Sequence, residues 1–364
     1  MARPMTSNAA DPGACQSPEP LTRGEIFQQP SLWLDTLARV EAHKAKGLEL
    51  GGNVYITGAG SSAHAATAIA AAWPGATAIP STDLLVEGLP YPPGEGLLIS
   101  LGRSGDSPES AAVIAKLQQE CPMVKHLAIT CNSEGRLAHW QGVDTIILDP
   151  RTNDRGLAMT SSFSNLLLAG LCLPNGDTIS SALRAISERA ETCLPLLDQT
   201  ARAVAALASQ RIAVLASPAL IGAAREASLK VLELSGGRVV ALCETYLGLR
   251  HGPLSYLRAD TIVLCFVSSD EQRRRYEEDL LTELRDKRLG RLVGIAPEGI
   301  SPDLFNKVVP AIAPALSDSL RAPFEILFAQ LLAYHLSLRF GLNPDNPSPD
   351  GIINRVVQGV RIHR

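Results

Sequence analysis

The sequence lacks an excess of basic residues. Over 364 residues it carries a formal net charge of -4 at pH 7, and its isoelectric point is near 6.0. Proteins that bind nucleic acid or an anionic membrane usually present a broad positive field. We therefore expect no nucleic-acid or membrane partner. A small anionic ligand is compatible with this charge, because it needs only local donors.

Paired cysteines and histidine clusters are also missing. The seven cysteines are odd in number, widely spaced and without a CxxC pair, which argues against a disulfide framework or a zinc ribbon. They are Cys15, Cys121, Cys131, Cys172, Cys193, Cys243 and Cys265. No HxxxH motif or Cys/His cluster occurs, so we predict no metal and assign no metal-binding role to His64, His126, His139 or His335. The cysteines are expected to be thiols in a reducing cytosol.

Long hydrophobic runs form the third absence. No run approaches the roughly 18 residues that a membrane span requires, and the N-terminus has no apolar segment typical of a signal peptide. We predict a disordered tail over residues 1–21 and a cytoplasmic protein.

Short apolar strands alternate with helices from Asn53 onward. Before them, residues 22–50 predict two short helices separated by a turn at Gln29-Pro30. The predicted strands are NVYIT, ATAI, GLLISL, HLAIT and DTIILD, and the helices between them are AHAATAIAAAW, SPESAAVIAKLQQ and EGRLAHW. Such alternation is typical of a parallel sheet covered on both faces.

The same order of elements returns in the second half. RIAVLA (211–216) leads into GAAREASLKVLELSG, TIVLCFVSSD (261–270) leads into QRRRYEEDLLTELRD, and RLVGIA (291–296) follows. With 46% hydrophobic residues, the chain can bury two cores. We predict an α/β fold of two tandem doubly wound parallel-sheet domains, 51–195 and 205–340, related by internal duplication. Residues 341–364 form a C-terminal tail too irregular to fold alone.

The first candidate site motif is GAGSS (58–62), between a strand and an Ala-rich helix. Glycines let a ligand approach the backbone, while the helix start and hydroxyls offer donors for an anion. The motif also satisfies the GxGxxA dinucleotide pattern, with Asp83 placed like a ribose-binding acid. A nicotinamide site and a tight turn without a ligand are therefore alternatives.

The second motif is GRSGDS (102–107), after GLLISL and before a helix. Parallel strand ends meet on one edge of a sheet, so this loop and GAGSS can converge, and two hydroxyl-rich turns suit one compact phosphate. A plain N-cap at Ser107, with Pro108 at the first helical position, is the structural alternative. A third cluster, Thr160-Ser161-Ser162, could close over the same site or simply start a helix.

Glu226, Lys230 and Glu233 form the third motif, since their spacing places them on one face of a helix. A solvated, salt-bridged stripe is the simpler interpretation. The helix is otherwise rich in Ala, Leu and Val, however, and occupies the second half's equivalent of the GAGSS helix. A carboxylate facing a cleft there could act as a general base.

His251 lies in the fourth motif, RHGP (250–253). Most single histidines are structural, but this one sits beside a Gly-Pro turn and away from any apolar stripe. Imidazole titrates near neutrality, so a histidine in such a position can transfer protons as a general acid or base.

Taken together, GAGSS, GRSGDSPES, REASLKVLEL and RHGP, in this order, resemble the two-domain sugar isomerase (SIS) superfamily. Within it, STDLL, SLGRSGDSPESAAV, AITCN, NDRGLAMTSSFSN and NRVVQGV are similar to galactosamine-6-phosphate deaminase/isomerases, also called tagatose-6-phosphate ketose/aldose isomerases. The resemblance implies two flavodoxin-like domains, a hexose phosphate substrate, no cofactor, and a homodimer with an active site shared between subunits that the C-terminal tail closes.

Roles for individual residues follow from this resemblance only. Phosphate would be bound by Ser61, Ser62, Ser104 and Ser107, with Arg103 and Thr160 nearby and Gly60, Gly102 and Arg355 completing the pocket. Glu233 matches the base that moves a proton between C1 and C2 in aminosugar synthases. His251 matches their ring-opening histidine, which the neighbouring subunit supplies, and Glu226 and Lys230 match residues that line the pocket.

One position departs from those synthases. Where they have a lysine that forms a Schiff base, this chain has Arg355, which stays protonated and cannot be that nucleophile. An N-terminal glutaminase domain is also missing, so synthesis of an aminosugar is disfavoured. We predict conversion of galactosamine 6-phosphate to tagatose 6-phosphate and ammonia. The alternatives are isomerisation of a hexose phosphate without an amine, deamination of glucosamine 6-phosphate, and a non-catalytic phosphosugar sensor.

Overall fold

The computed structural model describes residues 19–48, 50, 52–90, 94–208, 210–348 and 350–363. Most of the predicted tail, with Cys15, lies outside the described residues. The other six cysteines are free thiols.

The first half contains a five-stranded parallel sheet. Helices α1 (Leu21–Phe27) and α2 (Gln29–Lys44) precede it, and Pro30 lies in the first turn of α2. The strands are β1 (Asn53–Thr57), β2 (Ala76–Ala78), β3 (Gly96–Gly102), β4 (Val124–Thr130) and β5 (Val143–Ile147), and the helices between them are α3 (Ser61–Ala71), α4 (Ser81–Glu87) and α5 (Pro108–Glu120). The order β2-β1-β3-β4-β5 confirms a doubly wound arrangement.

The second half repeats this order. After α6 (Ser161–Leu207), the strands are β6 (Arg211–Ala216), β7 (Val240–Thr245), β8 (Ile262–Phe266), β9 (Arg291–Ala296) and β10 (Lys307–Pro310), and the helices are α7 (Ile221–Leu234), α8 (Tyr246–Leu249), α9 (Glu271–Asp286) and α10 (Asp318–Arg339). The second sheet has the order β7-β6-β8-β9-β10 and is also parallel. The predicted α/β class with two parallel sheets is therefore confirmed.

Two segments differ from expectation. EGRLAHW contains only a short 3-10 helix, Arg136–His139. Two of its backbone amides bind the loop after β3, since Arg136 donates to the Asp106 side chain and Leu137 donates to the Gly105 carbonyl. Helix α6 spans 47 residues but is kinked beside Pro174, where the backbone of Asn175 is not helical (φ -125, ψ 24). The proposed domain boundary at 195–205 falls inside the second part of this helix. Its length and composition alone would suffice to cross a membrane, but 61% of its most apolar 18-residue window is buried within the protein.

Helices α3 and α7 cross with their backbones in direct contact. At Gly222 in α7, an added Cβ atom would lie 2.7 Å from the carbonyl oxygen of His64 and 2.7 Å from the amide nitrogen of Ala68, both in α3. Only glycine fits this crossing. The contact joins the two halves, because α3 follows β1 and α7 follows β6.

Two buried carboxylates from helices, Glu277 of α9 and Asp318 of α10, bind the loops at the carboxyl ends of the second sheet. Glu277 accepts hydrogen bonds from the hydroxyl of Ser217, after β6, and from the amide of Ser268, after β8, at 2.8 Å. Asp318 accepts from the hydroxyl of Ser268 and from the amide of Ser269. These two carboxylates thus accept hydrogen bonds from the loops after β6 and β8. The equivalent loops of the first sheet, after β1 and β3, carry the hydroxyl-rich motifs GAGSS and GRSGDS.

Replacing Gly222 by Ala should destabilise the protein by about 1–3 kcal/mol, because the new methyl group meets rigid backbone of α3 rather than a side chain that can move. Urea unfolding would measure the loss. Gly24→Ala is the control, since a Cβ at Gly24 has nothing within 4 Å. Equal stability of the Gly222 variant and the wild type would contradict the contact.

Burial raises the pKa of Glu277 from 4.5 to about 7. The folded state therefore binds the proton of the Glu277 carboxyl group more tightly than the unfolded state does. The contribution of this proton to the free energy of unfolding is complete below pH 4.5 and is lost as the pH rises through about 7. Glu277→Gln should remove this dependence, so that the variant gains about 3 kcal/mol relative to wild type between about pH 5 and about pH 8. Urea unfolding over this range tests the prediction, with Glu278→Gln on the same helix as control. A constant difference between Glu277→Gln and wild type across the range would refute it.

Candidate active site

A cavity of 380 Å³ opens at the carboxyl ends of β1 and β3. Its lining includes both hydroxyl-rich loops, one carboxylate of α7 and a C-terminal strap, residues 352–358. The lining residues are 59–62, 101–105, 107, 110, 137, 157, 159, 233 and 352–358. The two loops that the sequence placed at one sheet edge therefore face the same space.

The loop after β1 turns tightly into α3. A Cβ at Gly58 would lie 2.5 Å from the Cβ of Ser62, and Gly60 has φ +56, a conformation that favours glycine. Ser61 and Ser62 consequently occupy the first turn of α3, where helix amides and the dipole favour an anion. Both serines line the cavity and are buried.

The loop after β3 presents Ser104 and Ser107. Gly105 between them has φ +70. The hydroxyl of Ser104 accepts a hydrogen bond from the Asp106 amide at 3.2 Å, and that of Ser107 donates to Glu109 at 2.8 Å. Ser107 precedes α5 with Pro108 at the first helical position, as the capping alternative predicted, although its side chain makes no capping hydrogen bond. The Ser104 hydroxyl retains its proton for a ligand.

Glu226, Lys230 and Glu233 form a buried charge cluster rather than a solvated stripe. Glu226 and Lys230 are fully buried, and the side chain of Glu233 is 24% exposed. Lys230 Nζ lies 3.3 Å from Glu226 Oε1, donates to Glu233 Oε2, and lies 3.2 Å from the hydroxyl of Ser61. Burial alone would lower the pKa of Lys230, but the two carboxylates outweigh it and raise the pKa above its usual value. Glu233 is the member of the cluster that lines the cavity.

His64 extends this cluster into α3. Its Nδ1 lies 3.2 Å from Glu226 Oε2, and its side chain is 24% exposed. Sequence spacing showed no partner for His64, because Glu226 approaches it across the helix crossing. The sequence feature that could have indicated this contact is the pair of small residues Gly222 and Ala68, which lets α7 come close to α3.

Arg103 and Arg355 attach the strap to the first half. Arg103 is buried, and burial lowers its pKa. Its guanidinium donates to the carbonyls of Leu157, at 2.9 Å, and Arg355. Arg355 in turn donates from Nε to the carbonyl of Asp154 at 2.8 Å. Both arginines line the cavity, but their guanidinium groups are engaged with backbone oxygens.

Thr160 lies outside the cavity lining. Its amide and hydroxyl both donate to Asp154, at 2.8 and 2.9 Å, and the same carboxylate accepts from Ser162. Glu25 of α1 accepts from the amide of Arg155. Burial and the adjacent charge of Asp154 raise the pKa of Glu25 to about 7. The hydroxyl cluster 160–162 is thus held by the carboxylate of Asp154, and the backbone carbonyl of the same residue accepts the hydrogen bond from Arg355 of the strap.

His251 is exposed and does not line the cavity of its own chain. It lies between α8 and Gly252, which has φ +118. Asp83, the candidate ribose-binding acid, is also exposed, in the first turn of α4, and is not among the cavity residues. The interpretation of GAGSSA as a dinucleotide site therefore lacks the acidic residue that would bind the ribose.

The resemblance implied that the C-terminal tail closes the site, but it did not show which part of the tail does so or what anchors it. Only Arg355 was singled out, whereas residues 352–354 and 356–358 also contribute to the cavity. Asp154 lies within the stretch NDRGLAMTSSFSN but was not singled out. A segment rich in Pro and Asn gives no periodic signal of what it contacts.

Comparison with known proteins agrees with this geometry. No family model matches the sequence. The chain is 38% identical to the D-galactosamine-6-phosphate deaminase AgaS of Escherichia coli O157:H7, over 94% of this chain and 95% of that relative. It is 35% identical to the protein of the same name from Shewanella sp. (strain ANA-3), over 94% and 91% of the two chains.

Solved structures show the same likeness. The tagatose-6-phosphate ketose/aldose isomerase from Escherichia coli superposes with a TM-score of 0.81 at 33% identity, covering 94% of this chain and 96% of that one. Sequence identity above 30% over nearly the full length, together with the matching pair of sheets, establishes the relationship. The chain belongs to the AgaS family of two-domain sugar isomerase (SIS) proteins.

Proposed function

We propose that this protein converts galactosamine 6-phosphate and water into tagatose 6-phosphate and ammonia. The observation that carries the proposal is one cavity lined by two hydroxyl-rich loops and by Glu233, in a chain 38% identical to a relative named for this deamination.

The phosphate is proposed to bind between the two loops. Ser61 and Ser62 lie at the start of α3, and Ser104 and Ser107, from the loop after β3, line the same cavity. Hydroxyl and amide donors at a helix start suit the dianion without a bound cation. Arg103, Gly60 and Gly102 line the same space and shape it, and Arg355 holds the strap over it.

Glu233 is proposed as the general base. In the ring-opened 2-amino aldose it takes the proton from C2 and returns it to C1, while the C1 oxygen gains a proton and the C2 amine loses one, which leaves an imine at C2. Water then adds to the imine carbon, and ammonia leaves as the C2 ketone forms. Lys230, buried against Glu233 and Ser61, orients the carboxylate, and Glu226 holds Lys230 from the other side.

Ring opening is assigned to His251 of a second copy. Because His251 is exposed and outside its own cavity, the proposal requires a homodimer in which each cavity receives this imidazole from the partner. The proposal also places the enzyme in the cytoplasm. It takes residues 51–195 and 205–340 as the two domains and the tail 341–364 as the segment that closes the active site.

A second candidate is isomerisation of a hexose phosphate that has no amine. It is favoured by the name of the solved relative, a tagatose-6-phosphate ketose/aldose isomerase. The same proton transfer between C2 and C1 would serve, without the hydrolytic step. Ammonia release separates the two reactions.

Galactosamine 6-phosphate should yield ammonia and tagatose 6-phosphate in equal amounts with the wild-type protein. Glu233→Gln should lower kcat at least about 100-fold, because the base is lost, while calorimetry shows substrate affinity within about threefold of wild type. Glu278→Gln on α9 is the matched control. If neither galactosamine 6-phosphate nor glucosamine 6-phosphate yields ammonia, the deaminase function is wrong. If tight binding then persists without any turnover, a sensor is indicated.

Mixing two inactive variants tests the shared site. Glu233→Gln and His251→Ala homodimers should each be inactive. After the subunits re-equilibrate, mixed dimers hold one intact site, so activity should recover to about a quarter of wild type. His251→Ala mixed with itself provides the baseline. Activity that stays at this baseline would assign His251 to its own chain or to no catalytic role.

A further inference from the structure

A histidine outside the cavity completes the charge cluster behind Glu233. His64 lies on α3, the helix whose first turn carries Ser61 and Ser62, and it contacts the fully buried Glu226 at 3.2 Å. The cluster is therefore a chain of four groups, His64, Glu226, Lys230 and Glu233. It meets solvent at His64 and the cavity at Glu233, each 24% exposed.

Within these four residues, two carboxylates face one lysine, and His64 is the remaining group that can carry a positive charge. Glu226 and Glu233 bring two negative charges to one buried ammonium. A fully buried carboxylate that shares its cation is costly unless another donor or charge compensates it. The ring of His64 is placed to supply a donor, since its Nδ1 lies 3.2 Å from Glu226 Oε2, and an imidazolium at this position would also supply the charge.

We propose that His64 is a positioning residue that holds Glu226 and thereby sets how much of the Lys230 charge acts on Glu233. This inference rests on the proposed role of Glu233 as the base. With His64 charged, Glu226 is satisfied from α3, and Lys230 stays committed to Glu233 and Ser61. Without that charge, Glu226 draws Lys230 toward itself, and Glu233 holds a proton more tightly.

Other charges face the same cluster but are left in place by a change at His64. Arg103, from the loop after β3, interacts electrostatically with Glu233 and Lys230, and Arg355 of the strap lies beside Arg103. Both are held by backbone carbonyls of the first half. A substitution at His64 therefore alters the cluster from the α3 side alone.

The test is the pH dependence of C2 hydrogen exchange. Galactosamine 6-phosphate and its non-amino analogue are incubated with the protein in D₂O, and deuterium at C2 is followed by NMR, which reports the base whether or not ammonia leaves. His64→Gln keeps a hydrogen-bond donor without the charge. The acidic limb of its profile of exchange rate against pH should move to higher pH by about one unit. KM should stay within about twofold.

His64→Lys restores the charge and should return the acidic limb to its wild-type position. The matched control is His335→Gln, which breaks a similar histidine–carboxylate pair, with Asp198 at 2.7 Å, away from the cavity. If His64→Gln keeps the wild-type limb, or if His64→Lys fails to restore it, the inference is wrong. Exchange without ammonia rejects only the deaminase function, whereas a wild-type protein that neither exchanges the C2 hydrogen nor converts either sugar rejects both. If the wild-type protein converts a sugar without exchange, the same acidic limb is read from the rate of conversion.

Discussion

The site depends on one buried ammonium group. Lys230 is fully enclosed, and it remains charged because carboxylates lie on both sides of it. The arrangement requires α3 and α7 to approach so closely that only Gly222 fits between them. An ion of this kind tolerates no loss of a partner, since an uncompensated buried charge costs several kcal/mol. The two halves are thus held in register by the same contacts that place Glu233 at the cavity.

Much of the fold could be predicted because its signals are local. Five apolar runs followed by turn residues predicted the first sheet, and the return of that order predicted three strands of the second sheet, β6, β8 and β9, but not β7 or β10. The convergence of GAGSS and GRSGDS also followed, because parallel strands end at one edge. The common face of Glu226, Lys230 and Glu233 came from helical spacing alone.

Contacts across long sequence separations could not be predicted in this way. The choice between a solvated stripe and a buried cluster depends on what covers α7, and α3 lies more than a hundred residues earlier in the chain. His64 gave no pattern for this reason. The strap likewise reaches its position through Arg355 and the carbonyl of Asp154, a pairing between an irregular tail and a loop that no periodicity encodes.

The carboxylates at the second sheet have a consequence for stoichiometry. Glu277 and Asp318 occupy the donors that, in the first half, face an open cavity. An anion tethered to the chain has a far higher effective concentration than any diffusing metabolite. Among the described residues, the loops of the second half are thus occupied by the protein's own side chains, whereas those of the first half line an open cavity. The proposed function therefore implies one phosphate ester per chain.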